Sequence, residues 1–258
     1  MADIHPLALV EPGAELAPGV RVEPFAWIEA GARIGPDCLI GAQARIHGCV
    51  RLGAGNRVGQ GVVLGDLPQD LDFDAAVQTG VEIGDANRFR EYVTVHRATR
   101  AGTVTRIGDR NFLMAYAHVA HDCHLGNGNI LVNAVALAGH VHIADQVNLA
   151  GHVSVHQFCR VGRLAMVSGL VGVAQDVPPF ALVGGHRGRV VGLNLVGLRR
   201  AGIGPAQRQA LKRAYRTLYR AGLPRTEALA RLAADGEPLV RELAAFVAGS
   251  DRGIIGHV

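Results

Sequence analysis

An aliphatic residue recurs at every sixth position along most of this chain, and no other feature restricts its fold as strongly. The series runs unbroken from Ile4 to Leu64 and resumes from Ile83 to Val173, where only Phe89 and Ala101 are not isoleucine, leucine or valine. A period of six does not match the 3.6-residue repeat of an α-helix. It suits short strands that each turn a corner and direct one aliphatic side chain inward. We therefore predict a mainly β chain wound as a parallel β-helix, with three hexads, or about eighteen residues, in each coil.

The composition agrees with a core of small and β-branched side chains. Aromatic residues make up only 5% of the chain, whereas glycine occurs 34 times. The slot four places after each aliphatic residue is usually small or β-branched, as a tight corner requires. Cys38, Cys123 and Cys159 fall in this slot, so we interpret them as small core residues. The four cysteines show no CxxC spacing, which argues against both a zinc knuckle and a disulfide framework.

Breaks in the repeat predict how the chain is divided. The segments 66–82 and 96–106 interrupt the hexads, and we expect both to project from the β-helix as loops. Residues 1–190 are predicted to form the β-helix, and residues 191–258 a small C-terminal α-helical domain. Within that domain, helices are expected from Pro205 to Arg220, after Thr226 as N-cap, and from Pro238.

Charge and hydropathy favour a cytoplasmic protein with an acidic partner. The N-terminus has no signal-peptide pattern, and no apolar run is long enough to form a transmembrane segment. The formal net charge is +4, yet the segment from Arg187 to Arg231 has eleven arginines or lysines and a single acid, Glu227. A solvated helix face would explain this bias, but an acidic protein or a phosphate group would explain it better. We expect no nucleic acid as partner.

The sequence HVAHDCHLG at 118–126 concentrates histidines around one carboxylate. In an eighteen-residue coil, His118 and His124 lie on neighbouring faces and cannot share a metal ion with His121 within one chain. Stacking instead places His121 beneath Gly139, and Asp122 beneath His140. An imidazole oriented by a carboxylate can act as a general base, and a glycine N–H can approach an oxyanion closely. The spacing alone leaves acid–base catalysis, surface histidines and a metal site between chains all open.

Several long motifs, in the same order, resemble the UDP-N-acetylglucosamine O-acyltransferases, which belong to the hexapeptide-repeat transferases and catalyse the first step of lipid A biosynthesis. The motifs are PQDL at 68–71, VTVHR at 93–97, AHVAHDCHLGNGNILVN at 117–133, LAGHV at 137–141, VHQFCRVG at 155–162, GVAQDVPP at 172–179 and NLVGLRRAG at 194–202. The resemblance implies a left-handed parallel β-helix that assembles as a homotrimer with active sites between subunits. It implies transfer of a 3-hydroxyacyl chain from acyl carrier protein to the 3-hydroxyl of UDP-GlcNAc. It also implies no metal, no bound cofactor and no covalent intermediate, because the acyl group arrives on the phosphopantetheine of the carrier protein.

By the same resemblance, His121 corresponds to the general base, Asp122 to its orienting partner and Gly139 to the oxyanion donor. The residues that correspond to substrate contacts are His96, His118, His140, His156 and Gln157 around the base, Gln69 and Asp70 on the first loop, Gly169 at the end of the acyl pocket, and Asn194, Arg199 and Arg200 in the nucleotide and carrier-protein region.

The chain departs from the family pattern mainly on the nucleotide side, at Asp72, Val196 and Ala201. Gly169 favours a long acyl chain, although Arg187 stands where another pocket residue is expected. A 3-amino sugar remains an alternative acceptor. Two readings of a different class are a γ-carbonic-anhydrase-like metal hydratase, which would carry stoichiometric metal, and a catalytically inactive structural solenoid.

Overall fold

The computed structural model describes all residues from 1 to 258. Twenty-eight short strands are followed by four helices. The strands are β1 Asp3–Ile4, β2 Leu9–Val10, β3 Glu15–Leu16, β4 Arg21–Val22, β5 Trp27–Ile28, β6 Arg33–Ile34, β7 Leu39–Ile40, β8 Arg45–Ile46, β9 Val50–Leu52, β10 Arg57–Val58, β11 Val63–Asp66, β12 Gly80–Ile83, β13 Arg88–Phe89, β14 Thr94–His96, β15 Val104–Ile107, β16 Phe112–Leu113, β17 His118–Val119, β18 His124–Leu125, β19 Ile130–Leu131, β20 Ala136–Leu137, β21 His142–Ile143, β22 Asn148–Leu149, β23 Ser154–Val155, β24 Arg160–Val161, β25 Met166–Val167, β26 Gly172–Val173, β27 Ala181–Gly184 and β28 Arg189–Leu193.

The strands form three sheets that make up the faces of a triangular prism. Face A contains β1 and every third strand after it up to β25, followed by β27 and β28; face B runs from β2 to β26, and face C from β3 to β24. Neighbouring strands in each face are parallel except for β27 and β28, which are antiparallel. In regular coils the partner residues are eighteen apart, as with His124 and His142. The chain therefore turns at three corners in each coil, which we call AB, BC and CA after the faces they join.

The aliphatic series forms the core of the prism. Its members from Val22 to Val173 are buried except Ala101, which is exposed in the second loop. Small residues four places later, including Cys38, Cys123 and Cys159, are buried with them. Burying a medium-sized aliphatic side chain stabilises the fold by roughly 1.5–3 kcal/mol. The four cysteines are free thiols.

Both interruptions of the repeat leave the prism at the BC corner. Residues 67–79 connect β11 to β12, and residues 97–103 connect β14 to β15. The flanking strands extend several residues into the ranges 66–82 and 96–106 that the sequence suggests, because these residues still pair with strands of the neighbouring coils. The two loops therefore rise from successive coils on the same edge of the prism.

The helical domain comprises α1 Leu195–Arg200, α2 Pro205–Tyr219, α3 Arg225–Ala233 and α4 Pro238–Ala248. The expected N-cap at Thr226 is wrong, since α3 begins at Arg225 after Pro224. Helix α1 was not expected. Strand β28 pairs antiparallel with β27, so it continues past the domain boundary between residues 190 and 191 that the sequence suggests. None of the helices has both the length and the apolar character needed to cross a membrane.

The helices are tied to the last coils of the prism by side chains and by the C-terminal tail. Arg163 donates two hydrogen bonds to Glu242 on α4, at 2.7 and 3.0 Å. In the tail, Ile254 forms a β-bridge with Asp176, and His257 forms one with Val190. Ile255 packs in the main core with only 3% of its surface exposed. The chain thus closes the upper end of its own prism.

Candidate active site

His121 and Asp122 lie side by side at the BC corner, between β17 and β18. The Nδ1 atom of His121 is 2.8 Å from Oδ2 of Asp122. Both side chains are largely enclosed, with 14% and 10% of their surface exposed. A carboxylate at this distance favours the tautomer with a proton on Nδ1, which leaves the lone pair of Nε2 free to accept a proton.

Asp122 is held from its other side by the second projecting loop. Thr99 donates to the carboxylate from its Oγ1, at 2.7 Å, and from its backbone N–H, at 3.2 Å. The backbone N–H of Asp122 donates to Oγ1 of Thr105 at 2.9 Å. Burial alone would raise the pKa of Asp122, but the hydrogen bonds from Thr99 and His121 and the nearby His140 lower it overall. The carboxylate is therefore ionised and fixed in orientation.

Sequence reasoning missed Thr99. Its neighbours in the sequence carry no motif that marks it as functional, and the irregular length of the loop prevents an eighteen-residue count from reaching it. The signal that could have found it is topological: the loop leaves the prism one coil before Asp122 and at the same corner.

The predicted stacking of His121, Asp122, Gly139 and His140 is confirmed. The backbone N–H of His140 donates to the carbonyl of His121 at 3.0 Å. A Cβ atom at position 139 would lie 2.3–3.0 Å from the atoms of the His121 ring, closer than any side chain tolerates. Glycine is thus required for the imidazole to lie across this turn, and the N–H of Gly139 makes no hydrogen bond within the chain.

His140 completes this group of polar side chains. Its ring stands edge-on to that of His121, with centroids 5.2 Å apart, and stacks on Phe158 at 4.5 Å. Its Nε2 lies 3.8 Å from Oδ2 of Asp122. Burial lowers the pKa of His140 despite the opposing charge of Asp122, so the ring is neutral near pH 7. We call His121, Asp122 and His140 the corner cluster; one ligand atom from each lies within 4.8 Å of the others, close enough for a metal ion.

A second pair of histidines lies on face B, below the corner cluster. His96 and His118 meet edge-on with ring centroids 4.8 Å apart, and Nδ1 of His118 is 2.7 Å from Oγ1 of Thr94. Burial and the nearby His96 and His121 lower the pKa of His118 to about 4. Burial lowers the pKa of His96 as well, and its Nδ1 is buried without a hydrogen-bond partner.

His156 and Gln157 continue the same corner one coil above Gly139, and both side chains are exposed. His156 also lines a cavity of about 650 Å³ that reaches Arg187 in the turn between β27 and β28. Gln69 and Asp70 are exposed on the first loop, and Oδ1 of Asp70 accepts a hydrogen bond from the N–H of Asp72 at 3.1 Å. Asp70 and Arg100 are near enough to His140 to influence its pKa.

The remaining predicted contacts lie elsewhere within the chain. Asn194 caps α1, with Oδ1 accepting from Gly197 and Nδ2 donating to the carbonyl of Leu164, both at 2.9 Å. Arg199 and Arg200 line a cavity of about 810 Å³ beside face A and the CA corner, together with the unusual Val196 and Ala201. Gly169 is at the AB corner, where a Cβ would meet the carbonyl of Gly151 at 3.2 Å. One chain therefore does not bring these residues to the corner cluster.

A groove of about 1020 Å³ runs along face C and its edge. In this groove Arg33 pairs with Glu15 at 3.1 Å and Arg106 with Glu82 at 3.2 Å, while Arg51 donates to the carbonyl of Gly31 at 2.7 Å. It contains no group that is poised for chemistry, so the corner cluster remains the better candidate for an active site.

Comparisons with known proteins agree on one group of relatives. Residues 176–255 match the family model described as UDP-N-acetylglucosamine O-acyltransferase, domain 2, and residues 31–66 match the six-repeat bacterial transferase hexapeptide model. Acyl-[acyl-carrier-protein]–UDP-N-acetylglucosamine O-acyltransferases from Janthinobacterium sp. (strain Marseille) and Anaeromyxobacter sp. (strain K) are 48% and 49% identical. These alignments cover 99% and 97% of this chain and 100% and 98% of the two relatives.

Solved structures give the same result. The UDP-N-acetylglucosamine acyltransferase of Francisella novicida superposes with a TM-score of 0.95 at 36% identity, covering 98% of this chain and 94% of that one. The enzyme of Campylobacter jejuni gives 0.94 at 37% identity, covering 99% and 100%. Together with the three parallel sheets, these matches confirm the predicted left-handed parallel β-helix with its small helical domain.

Proposed function

The chain belongs to the UDP-N-acetylglucosamine O-acyltransferase family, and on that premise we propose how its own residues carry out the reaction. It transfers an acyl group from acyl carrier protein to UDP-N-acetylglucosamine, a step in lipid A biosynthesis. The observation that carries the mechanism is the 2.8 Å contact between His121 and Asp122 beside the bare peptide of Gly139.

His121 acts as the general base. Its Nε2 takes the proton from the 3-hydroxyl of the glucosamine, and the oxygen attacks the thioester carbonyl of a 3-hydroxyacyl chain. Asp122, fixed by Thr99, orients the ring and stabilises the imidazolium that forms. The tetrahedral intermediate then expels the phosphopantetheine thiolate, which takes the proton back from His121. The thioester supplies the driving force, so the proposal includes no bound cofactor and no covalent enzyme intermediate.

Gly139 supplies the electrostatic part of the mechanism. Its N–H has no acceptor within the chain, and the residue lies beside the His121 ring, so this N–H is available to a carbonyl oxygen that becomes negatively charged there. A single oxyanion donor typically contributes about 10²–10³-fold to kcat. His96, His118, His140, His156, Gln157, Gln69 and Asp70 would then form the surrounding acceptor and donor pockets.

We propose that the functional unit is a homotrimer. The AB corner carries a ridge of exposed apolar side chains that includes Phe25, Tyr92, Tyr116 and Leu170. If three such ridges meet at a threefold axis, face B of one chain faces face A of the next. The BC corner then lies opposite the CA corner, where the Arg199 cavity is found. Asn194, Arg199 and Arg200 would in this way reach the corner cluster of a neighbouring chain, whereas Gly169 at the AB corner would lie near the threefold axis.

The basic face of α2 is the proposed docking surface for acyl carrier protein, through complementary charge. Lys212, Arg216 and Arg220 are exposed along one side of this helix, and Arg208 begins the series. Reversing the charge of Lys212 and Arg216 together should raise the KM for the carrier protein, more strongly at low salt, with little change in kcat. Arg33→Glu, on an exposed arginine of face C far from the helices, is the matched control. An unchanged KM would remove this role from α2.

The cytoplasmic location stays a proposal, supported by the four free cysteines. The 3-hydroxyl acceptor is preferred to a 3-amino sugar because the relatives' names specify O-acyl transfer. Mass spectrometry of the products formed from a mixed pool of acyl donors would determine the length of the acyl chain that is transferred.

The mechanism is tested by measuring acyl transfer from 3-hydroxyacyl carrier protein to UDP-GlcNAc. His121→Ala should lower kcat by about 10²–10⁴-fold, since a general base contributes that much. His124→Ala, on an exposed histidine of face C only three residues away, is the matched control and should retain full activity. Equal activity in the two variants would contradict the assignment of His121 as the base.

A further inference from the structure

We propose that the corner cluster of His121, Asp122 and His140 is also a binding site for Zn²⁺, and that the ion inhibits acyl transfer when it binds. The inhibition rests on the proposed function, because it requires His121 to be the base. The binding does not, since it depends only on where three donor atoms lie.

The spacing of the donor atoms matches a tetrahedral zinc ion with one open position. Bonds of about 2.0–2.2 Å to nitrogen and oxygen place neighbouring ligand atoms roughly 3.3 Å apart. In the corner cluster, Oδ2 of Asp122 lies 2.8 Å from Nδ1 of His121 and 3.8 Å from Nε2 of His140. All ligand atoms are within 4.8 Å of one another, so small side-chain rotations suffice to close the site.

The donor set is also chemically suited to zinc. Two imidazoles and one carboxylate are ligands that zinc accepts, whereas Mg²⁺ and Ca²⁺ prefer oxygen alone. The site is reached from solvent, because 25% of the His140 side chain and 14% of the His121 side chain are exposed. With three protein ligands, the fourth position would hold water or a substrate oxygen.

Residues outside the corner cluster hold two of the three ligands, Asp122 and His140, in place, as the second shell of zinc sites usually does. Thr99 fixes the Asp122 carboxylate with a 2.7 Å hydrogen bond. Phe158 stacks within 7° of parallel on the His140 ring and fixes its plane. Asp122 and His140 occupy the same position in successive coils, and both have a positive φ, of 57° and 61°.

Zinc and catalysis would compete for the same groups. An ion bound to Nδ1 of His121 would replace the proton there, and the neutral ring would then carry its proton on Nε2. That ion would break the contact with Asp122 that orients the base, and Nε2 could no longer accept the proton of the sugar hydroxyl. Transfer should therefore fall as zinc is added and recover when a chelator removes it.

The matched control is the other histidine pair. His124 and His142 lie side by side on face C with ring centroids 4.8 Å apart and are exposed, but no carboxylate joins them within ligand distance. Their replacement removes two surface histidines of similar spacing without touching the corner cluster.

The experiment is a titration of chelator-treated protein with Zn²⁺ against a chromogenic zinc indicator. We expect one site per chain in the unaltered protein and in the double variant His124→Ala/His142→Ala. His140→Ala and Asp122→Asn should weaken binding by at least the roughly 10–100-fold that loss of an outer-shell partner costs. Circular dichroism on each variant checks that it is folded.

Unchanged zinc affinity in folded His140→Ala, or loss of the site in the face C double variant, would overturn the proposal. Acyl transfer is assayed separately in the presence of chelator. If His121→Ala abolishes transfer while zinc affinity is unchanged, only the zinc site fails. If His121→Ala loses zinc but keeps transfer, the site stands and the role of His121 as base fails.

Discussion

At the level of single residues, the carboxylate of Asp122 accepts hydrogen bonds both from the second projecting loop and from its neighbour at the BC corner. Thr99 donates to it from the loop, while His121 contacts it from the neighbouring position on the same coil. The loop is therefore part of the apparatus that orients the base, although it belongs to the preceding coil.

Thr99→Val should lower kcat by about tenfold and leave the melting temperature almost unchanged. The valine keeps the shape of the side chain but removes the 2.7 Å hydrogen bond that holds Asp122. Thr99→Ser, which restores the hydroxyl, should recover most of the activity. Steady-state kinetics on both variants provides the measurement, and equal losses in the two would show that the hydroxyl has no orienting role.

Acid should destabilise the protein through His118. Its pKa is lowered to about 4 in the folded chain, against about 6.5 when unfolded, so the unfolded state binds the proton first as pH falls. The free energy of unfolding should therefore decrease as pH falls from about 6.5 to about 4, and His118→Gln should make that decrease shallower.

Denaturant unfolding at several pH values measures this effect, with the exposed His186→Gln as control. His96 contributes in the same direction because burial also lowers its pKa, so the decrease should not vanish. A pH dependence that His118→Gln leaves unaltered would contradict the argument.

At the level of elements, the corners matter as much as the strands. At the CA corner, buried asparagines hydrogen-bond from one coil to the next: Asn87 donates to Asn56, and Asn111 donates to Asn87. The side-chain oxygen Oδ1 of Asn111 accepts a hydrogen bond from the backbone N–H of Asn129 at 2.8 Å. We call this series the asparagine ladder. It satisfies backbone groups that the turn would otherwise bury unpaired.

Asn111→Leu should destabilise the chain by at least about 1–3 kcal/mol, because it leaves buried donors and acceptors of two coils without partners. Asn133→Ala is the matched control, since that asparagine is exposed at the AB corner and its side chain makes no hydrogen bond. Thermal unfolding compares the two, and equal melting temperatures would show that the ladder carries no stability.

The elements also show how far the sequence alone could lead. The period of six predicted the prism and the stacking of His121 under Gly139, because identical coils convert sequence distance into spatial distance. It could not predict Thr99 or the short helix α1, since neither follows the period. The prediction of Thr226 as N-cap was wrong because the helix already begins at Arg225, with Pro224 in the N-cap position.

At the level of the whole molecule, the candidate site is divided between places that one chain keeps apart. The corner cluster lies at the BC corner, whereas Arg199 and Arg200 line a cavity beside face A. No sequence period relates the two, because the contact proposed between them crosses from one chain to another.

Tyr116→Glu should convert the assembled protein into single chains and lower activity with it. Tyr116 is 63% exposed on the AB ridge and stacks on Tyr92, with ring centroids 5.3 Å apart, so a charge there should disfavour association. Light scattering measures the mass, and Arg33→Glu on face C, which lies on the outside of this arrangement, is the control. A trimer that survives the substitution would place the axis elsewhere.

Both loops leave the prism at the edge that holds the corner cluster, and this has a consequence for how such a protein can change. Residues 67–79 can vary in length without disturbing the strands that bracket them, whereas residues 97–103 must keep Thr99 against Asp122. The segment that carries Gln69 and Asp70 can thus be replaced to suit a different sugar, while the coils that align the imidazole and its carboxylate keep their spacing.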